Sequence, residues 1–330
     1  MIPSLLDSAV RLGTRIPLSE IEQMMALDPK QLLGIPLALV GAALLAFGAQ
    51  YQSRGLNKVE RITGESAGSG LSLQHVLKLL RRPSWVSGTL LLGVAVLFQI
   101  GSLSLSPLII VQPIGVVGLV ITSILNSRIS GVRLGKRVRT SIALCVLGIV
   151  VFVTIAAFTA ADRPVTDAKL ITILIAFAVV LAVALLLFVA FRHRGLAIIY
   201  IVGAGVLYGF VATFAKVVIG RLQQREFEWL TWTCVAALAV GALVGMVFVQ
   251  NAYSSGPPDL VVAGLTVVDP IVAVLIGIVV LHEAAGAPLW AVLAFVLSGA
   301  LAVVGVLGLA KFHPQTGLSA LDHAAAGPRA

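Results

Sequence analysis

LVVAGLTVVDPIVAVLIGIVVL, residues 260–281, carries a single charge, Asp269, with Pro270 directly after it. A run of about 20 apolar residues is long enough for a helix to cross the hydrocarbon core of a bilayer. An ionised carboxylate in that core costs roughly 3 kcal/mol or more, so such groups turn to the protein interior or to a water-filled cavity. The proline removes one backbone donor and disturbs the helical ladder beside it. A carboxylate and a helix break at mid-membrane together point to a solute or ion site. The alternative is a buried aspartate paired with a neighbouring helix.

The rest of the chain has the same character. Of 330 residues, 59% are hydrophobic and 11% charged, against about 25% charged in soluble domains. This composition predicts an all-α polytopic membrane protein. The net charge of +9 sits in short loops between apolar runs, as membrane orientation requires, and calls for no nucleic acid. Cys145 and Cys234 lie inside apolar runs and read as small packed hydrophobes. The five histidines are scattered, so no metal is assigned and no cofactor is called for. No cleavable signal peptide is expected, because charged residues interrupt the first 30 positions.

About nine runs can cross, near residues 32–53, 84–103, 106–126, 140–160, 169–191, 195–219, 229–250, 258–281 and 288–310. Basic residues set the orientation. Fifteen of the 23 fall on the side of loops 54–83, 128–139 and 192–194 and the tail; seven fall opposite, and Lys216 lies within a span. The richer side is expected to be cytoplasmic, in a plasma or inner membrane. That places the N-terminus outside and the C-terminus inside. The domains then read as an external segment 1–30 with a short interfacial helix, four spans in 31–160, a linking span in 161–194, four more in 195–311, and a disordered tail 312–330. Loop 54–83 carries LSLQHVLKLLRR (71–82), an amphipathic surface helix by its pattern.

The two four-span groups are weakly alike. LSLSPLIIVQPIGV (103–116) aligns without a gap on LVVAGLTVVDPIVA (260–273), and GAALLAFGAQYQSR (41–54) on GAGVLYGFVATFAK (203–216). Pro113 then matches Pro270, Gln112 matches Asp269, Arg54 matches Lys216, and Asn126 falls opposite Glu283. One unpaired span between the groups makes them antiparallel, an inverted 4+1+4 repeat of the kind that supports alternating access. Helix breaks are expected at Pro113 and Pro270. The candidate substrate or ion site collects Asp269, Gln112, Gln99, Asn126, Tyr208, Gln250, Asn251 and Thr266, a cavity of oxygens and amides with one acid. It suits a hydrated divalent cation or a polar metabolite with Asp269 as proton carrier. Lys216 reads as an anchor snorkelling to water, or a gate; Glu283 as a solvated outer charge, or a vestibule charge. Gly115, Gly118, Gly203, Gly205, Gly241 and Gly245 read as helix contacts. No nucleophile elbow, phosphate loop or paired catalytic carboxylates appear, so no enzyme is expected.

QPIGVVGLVITSILN (112–126) and DPIVAVLIGIVVLHE (269–283) give this chain a pattern that resembles the drug/metabolite transporter superfamily, of EamA-like type. YQSRGLNK (51–58), SLSPLIIVQPIG (104–115) and GFVATFAK (209–216) are similar to motifs of its NIPA-type magnesium transporters. The resemblance covers about residues 35 to 310. It implies a transporter of a small polar or cationic solute. Phe98 and Gln99 stand where that branch commonly has a Gly-Glu pair, so magnesium is a candidate solute only. Two other functions fit the sequence: a scaffold or accessory subunit of an envelope-assembly complex, with loop 54–83 as partner surface, and a flippase for a lipid-linked headgroup. The expected partners are the solute and the lipid bilayer, and the glycine-rich faces allow a homodimer.

Overall fold

A computed structural model describes residues 29–63, 82–130, 134–191, 197–256 and 258–312. The expected interfacial helix before residue 29, the amphipathic segment 71–82 up to Arg81, and the tail beyond Phe312 lie outside these. Among the described residues there are ten helices and no strand: α1 (Pro29–Thr63), α2 (Pro83–Leu105), α3 (Leu108–Gly115), α4 (Val117–Ser130), α5 (Lys136–Thr159), α6 (Asp167–Phe191), α7 (Ala197–Gln223), α8 (Trp229–Ser255), α9 (Pro258–Val279) and α10 (Leu289–Phe312). Taking α3 and α4 as one span, nine of these segments are long and apolar enough to cross a membrane. Large apolar side chains such as Leu186, Leu243 and Leu297 are exposed all round the bundle, which a water-soluble protein does not tolerate. The chain is a polytopic membrane protein.

The helices α1 and α2 pack antiparallel along a seam of glycines at every seventh position, Gly34, Gly41, Gly48 and Gly55. They meet Ser106, Phe98, Leu92 and Trp85 in descending order. Small residues let backbones approach where lipid supplies no hydrophobic drive between helices. α1 runs on as helix to Thr63, where a loop was expected from residue 54. No glycine or proline interrupts residues 56–63. The opposite face of α1, at Ala42, packs on Gly118 of α4. α5 and α10 form a second antiparallel pair, where a methyl at Gly148 would lie 2.6 Å from the Ala302 nitrogen.

α7 and α9 run side by side in the same direction. Ile201 meets Gly264, Gly205 meets Val268 and Gly209 meets Val272, a constant offset along both helices. α8 packs antiparallel on α7, and α6 stands at the periphery against α7 and α8, held by Phe177 against Phe210 and Phe214 at ring distances of 5.7 and 5.2 Å. The half-length helix α3 lies at the centre, its Leu108, Ile109, Ile110 and Val111 fully buried among α1, α5 and α9.

The two expected helix breaks differ. Near Pro113 the regular ladder is interrupted three residues later, where the Val116 amide turns to the Pro113 carbonyl at 3.2 Å. At Pro270 no break occurs, and α9 is continuous from Pro258 to Val279. The helix runs on through Pro270 with one backbone donor fewer, while Gly205 and Gly209 of α7 pack on Val268 and Val272 to either side of it.

Candidate functional site

Asp269 sits at the middle of the Leu260–Val279 span. Its backbone is pressed against α7, since a methyl at Gly209 would lie 3.0 Å from the Asp269 carbonyl oxygen and one at Gly205 3.4 Å from its nitrogen. On the α7 side Tyr208 lies within electrostatic reach of the carboxylate and is seated on Gly245 of α8. On the α3 side Leu108 lies beside Gly277. Eight residues along each helix from that contact, about 12 Å, reach Asp269 on α9 and Val116 at the end of α3. The carboxylate is therefore level with the interrupted ladder, where Gly115 faces open space. By the same register Gln112, which is 8% exposed, lies opposite Ala273, one turn from Asp269. Asp269 as a whole is half-buried, yet its Oδ1 is shut off from solvent and meets no hydrogen-bond donor among the described residues. A buried carboxylate oxygen without a donor is costly.

The oxygen-and-amide cavity expected around this group is not what the structure places there. Beside both prolines lies an apolar groove of about 360 Å³, bounded by Pro113, Val116, Phe152, Thr266, Pro270 and Phe295 among others. Thr266 is the polar residue in its lining, and its Oγ1 is turned back on the Val262 carbonyl at 2.7 Å. Gln99 and Gln250 do not converge. Gln99 lies towards the Leu103 end of α2, beside Gly41, whereas Gln250 and Asn251 lie at the far end of α8, near Ser255. Asn251 donates to its own helix at Val247, 2.8 Å away. Asn126 accepts a hydrogen bond from Gln50 and ties α4 to α1. Gly115 makes no helix contact. Among the described residues no group of three or more His, Cys, Asp or Glu is placed to hold a metal ion.

Lys216 and Glu283 are where the sequence reading is most clearly corrected. Neither is solvated: Lys216 is 4% and Glu283 2% exposed. The Lys216 ammonium donates to the carbonyls of Leu103 (2.8 Å) and Ser106 (3.0 Å) and to Asp162 Oδ2 (2.8 Å). Three donors thus meet three acceptors, at the negative end of the α2 dipole. Glu283 accepts the amides of Leu108 and Ile109, each at 2.8 Å, one on each carboxylate oxygen. These are first-turn N–H groups of α3, which have no partner inside the helix. His282 in the left-handed region (φ 61°) turns the chain so that the Glu283 amide reaches the Gly277 carbonyl at 3.0 Å. A side chain at Gly277 would lie 2.8 Å from Glu283 Oε2, so that position needs glycine.

The α2–α3 turn is thus held from both sides. Lys216 takes its carbonyls, Glu283 its amides. The connection between α5 and α6 and the first turn of α6 join in: the Ala161 amide donates to the Glu283 carbonyl at 2.9 Å, and Lys169 of α6 donates to the Leu281 carbonyl at 3.1 Å. Close by, Arg221, 3% exposed, pairs with Asp167 at 2.8 Å and with Glu226. Burial pushes the Glu283 carboxyl above its usual range, while the two amides and the Lys216 charge pull the other way. The roles of Asp162 and of the Leu103 and Ser106 carbonyls had no signal in the sequence beyond the matched positions Arg54/Lys216 and Asn126/Glu283.

No protein-family model matches this chain. No solved structure matches it. An uncharacterized protein of Corynebacterium glutamicum is 24% identical over 284 residues, which span 85% of this chain and 95% of that one. The similarity runs along nearly the whole of both chains and brings no activity with it. The described residues by themselves establish a polytopic helical membrane protein with a carboxylate at mid-span and a buried, charged clasp around the α2–α3 turn.

Proposed function

We propose that the protein is a membrane transporter that moves a small polar or cationic solute by alternating access, with Asp269 at its binding site. The observation that carries this reading is the enclosed, unpartnered Asp269 oxygen, level with the interruption between α3 and α4. An intramembrane carboxylate without an internal cation is completed by a proton or by cationic or hydrogen-bonding cargo. The packing supports an inverted 4+1+4 repeat of the drug/metabolite transporter kind. In the first four spans α1 packs on α2 and on α3–α4, and α3 on α5; in the last four α7 packs on α8 and α9, and α9 on α10. α3 meets α9 and α5 meets α10 between the halves. Discontinuous backbone at such an interface is where solutes bind. Magnesium is one candidate solute, a polar metabolite another.

Purified protein is screened by thermal shift against divalent cations and polar metabolites, since a ligand of the folded state raises the melting temperature by mass action. Uptake of the compounds that bind is then followed in proteoliposomes. Asp269→Asn is expected to abolish uptake and to leave the ligand-free melting temperature within a few degrees of the parent. Undiminished uptake by Asp269→Asn refutes the reading.

The groove favours one second reading, a flippase for a lipid-linked headgroup. Its lining is apolar and includes both Pro113 and Pro270, a shape suited to a hydrocarbon chain whose headgroup crosses beside α9. Scrambling of a fluorescent lipid-linked headgroup in proteoliposomes, without uptake of any free solute, would favour it over the first.

A further inference from the structure

Glu283 and Lys216 belong to the same half of the chain, and both grip the turn that belongs to the other half. Glu283 ends the segment after α9, Lys216 projects from α7, and what they hold is the backbone from Leu103 to Ile109. That turn is the leading end of α3, and α3 is the helix that lies between this end of the bundle and the level of Asp269. All of the contacts are buried, although they lie at a helix end, where charged side chains ordinarily meet water. They are also of the strong kind, charged groups on backbone dipoles. Apolar packing would hold two helices at this point, as it does along the Gly148–Ala302 seam of α5 and α10. A polar clasp differs in that it comes apart into groups that water can satisfy.

We propose that Lys216 and Glu283 form a latch that closes the path between α3 and α9 from this end of the bundle to Asp269, and that its release opens that path. The inference rests on the transport reading. In the closed state the α2 carbonyls satisfy Lys216 and the α3 amides satisfy Glu283. In the open state water takes both roles, and α3 moves away from Gly277 of α9. Among the described residues, the titratable and charged groups around Glu283 are its chain neighbour His282, Lys216 from α7, Asp162 from the α5–α6 connection, and Lys169 from α6 with Arg163 near it; α3 presents its amides. Asp162 neutralises Lys216 in the closed state, and its partly exposed side chain is where water first enters the cluster.

The test reads accessibility directly and needs no knowledge of the solute. A single cysteine replaces Ala273, which is fully buried on α9 opposite Gln112, in protein whose Cys145 and Cys234 are changed to alanine. Its labelling by a membrane-impermeant maleimide in sealed vesicles is compared with that of Gly286→Cys, an exposed site in open space at the latch end. From the side that labels Gly286→Cys, the parent is expected to label slowly at position 273. Glu283→Ala, which removes both acceptors of the α3 amides, and Lys216→Met are expected to raise that rate about tenfold. Asp162→Asn, at a side chain 38% exposed and so a mild change for the fold, is expected to raise it severalfold. Elution as a single species in detergent shows which variants are folded. No rise at position 273 in any folded variant overturns the latch and leaves Lys216 and Glu283 as anchors. If labelling rises and no solute is transported by any form, the latch stands and the transport reading falls. If transport persists and labelling does not rise, the latch alone is wrong.

Discussion

The close approach of α7 and α9 at the candidate site makes a quantitative demand on Gly209. In Gly209→Ala the new methyl would lie 2.7 Å from Val272 Cβ and Cγ1 and 3.0 Å from the Asp269 carbonyl oxygen. Non-bonded carbons rest at about 3.8 Å, so α7 and α9 must separate by about 1 Å. Cβ is fixed to the backbone of Val272 and cannot rotate aside. Overpacking of this kind costs about 1–3 kcal/mol, and alanine's better helix propensity returns up to about 1 kcal/mol. The expected net loss is about 1–2 kcal/mol, a shift of roughly five- to thirtyfold in the folding equilibrium. It is measured by unfolding in mixed micelles titrated with SDS. Gly115→Ala is the control: it meets nothing within 4 Å and is expected to be neutral or to stabilise by up to about 1 kcal/mol through propensity. If Gly209→Ala proves no less stable than Gly115→Ala, the parallel close packing of α7 on α9 is wrong. The placement of the Asp269 backbone against α7, beside Tyr208, would then lose its support.

Other expectations follow from single contacts. Burial raises the Glu283 carboxyl above its usual range, so the closed latch binds the proton more tightly than an open form in which Glu283 meets water. Closure is therefore favoured below the ordinary glutamate value and weakens as pH rises through the raised one. Labelling at position 273, taken as a ratio to Gly286→Cys, should increase with pH, and Glu283→Gln should remove that dependence; a ratio that falls with rising pH contradicts the sign. The Gln50–Asn126 bond ties α1 to α4, so Gln50→Ala and Asn126→Ala should each destabilise by about 1 kcal/mol. In a double-mutant cycle they should show coupling of about 0.5 kcal/mol or more, and strictly additive losses would mean that the bond contributes nothing.

The membrane class and all nine spans could be read from residue order, because the length and apolarity of a run are local properties. A helix of about 20 apolar residues buries its own backbone groups in lipid whatever surrounds it. Asp269 was legible for the same reason: one carboxylate in such a run is conspicuous without any neighbour. The proline signal was half right. Residue order shows a missing donor at 113 and at 270, but whether the ladder gives way depends on what packs alongside: it is interrupted after Pro113 and runs on through Pro270.

Lys216 and Glu283 mark the boundary of sequence reasoning. Glu283 lies just past the end of its span and Lys216 near the end of its own, and for a charge near a span end the local rule is water. The fold overrules it by bringing Leu108 and Ile109, more than 170 positions before Glu283 in the chain, to within hydrogen-bond distance of its carboxylate. Two helix ends with unsatisfied amides and carbonyls were present in the sequence all along, at Leu103–Ile109. Only the tertiary arrangement decides that a lysine and a glutamate, rather than solvent, satisfy them. Hydropathy is a property of the run itself, whereas burial of a charge depends on which distant backbone comes to meet it.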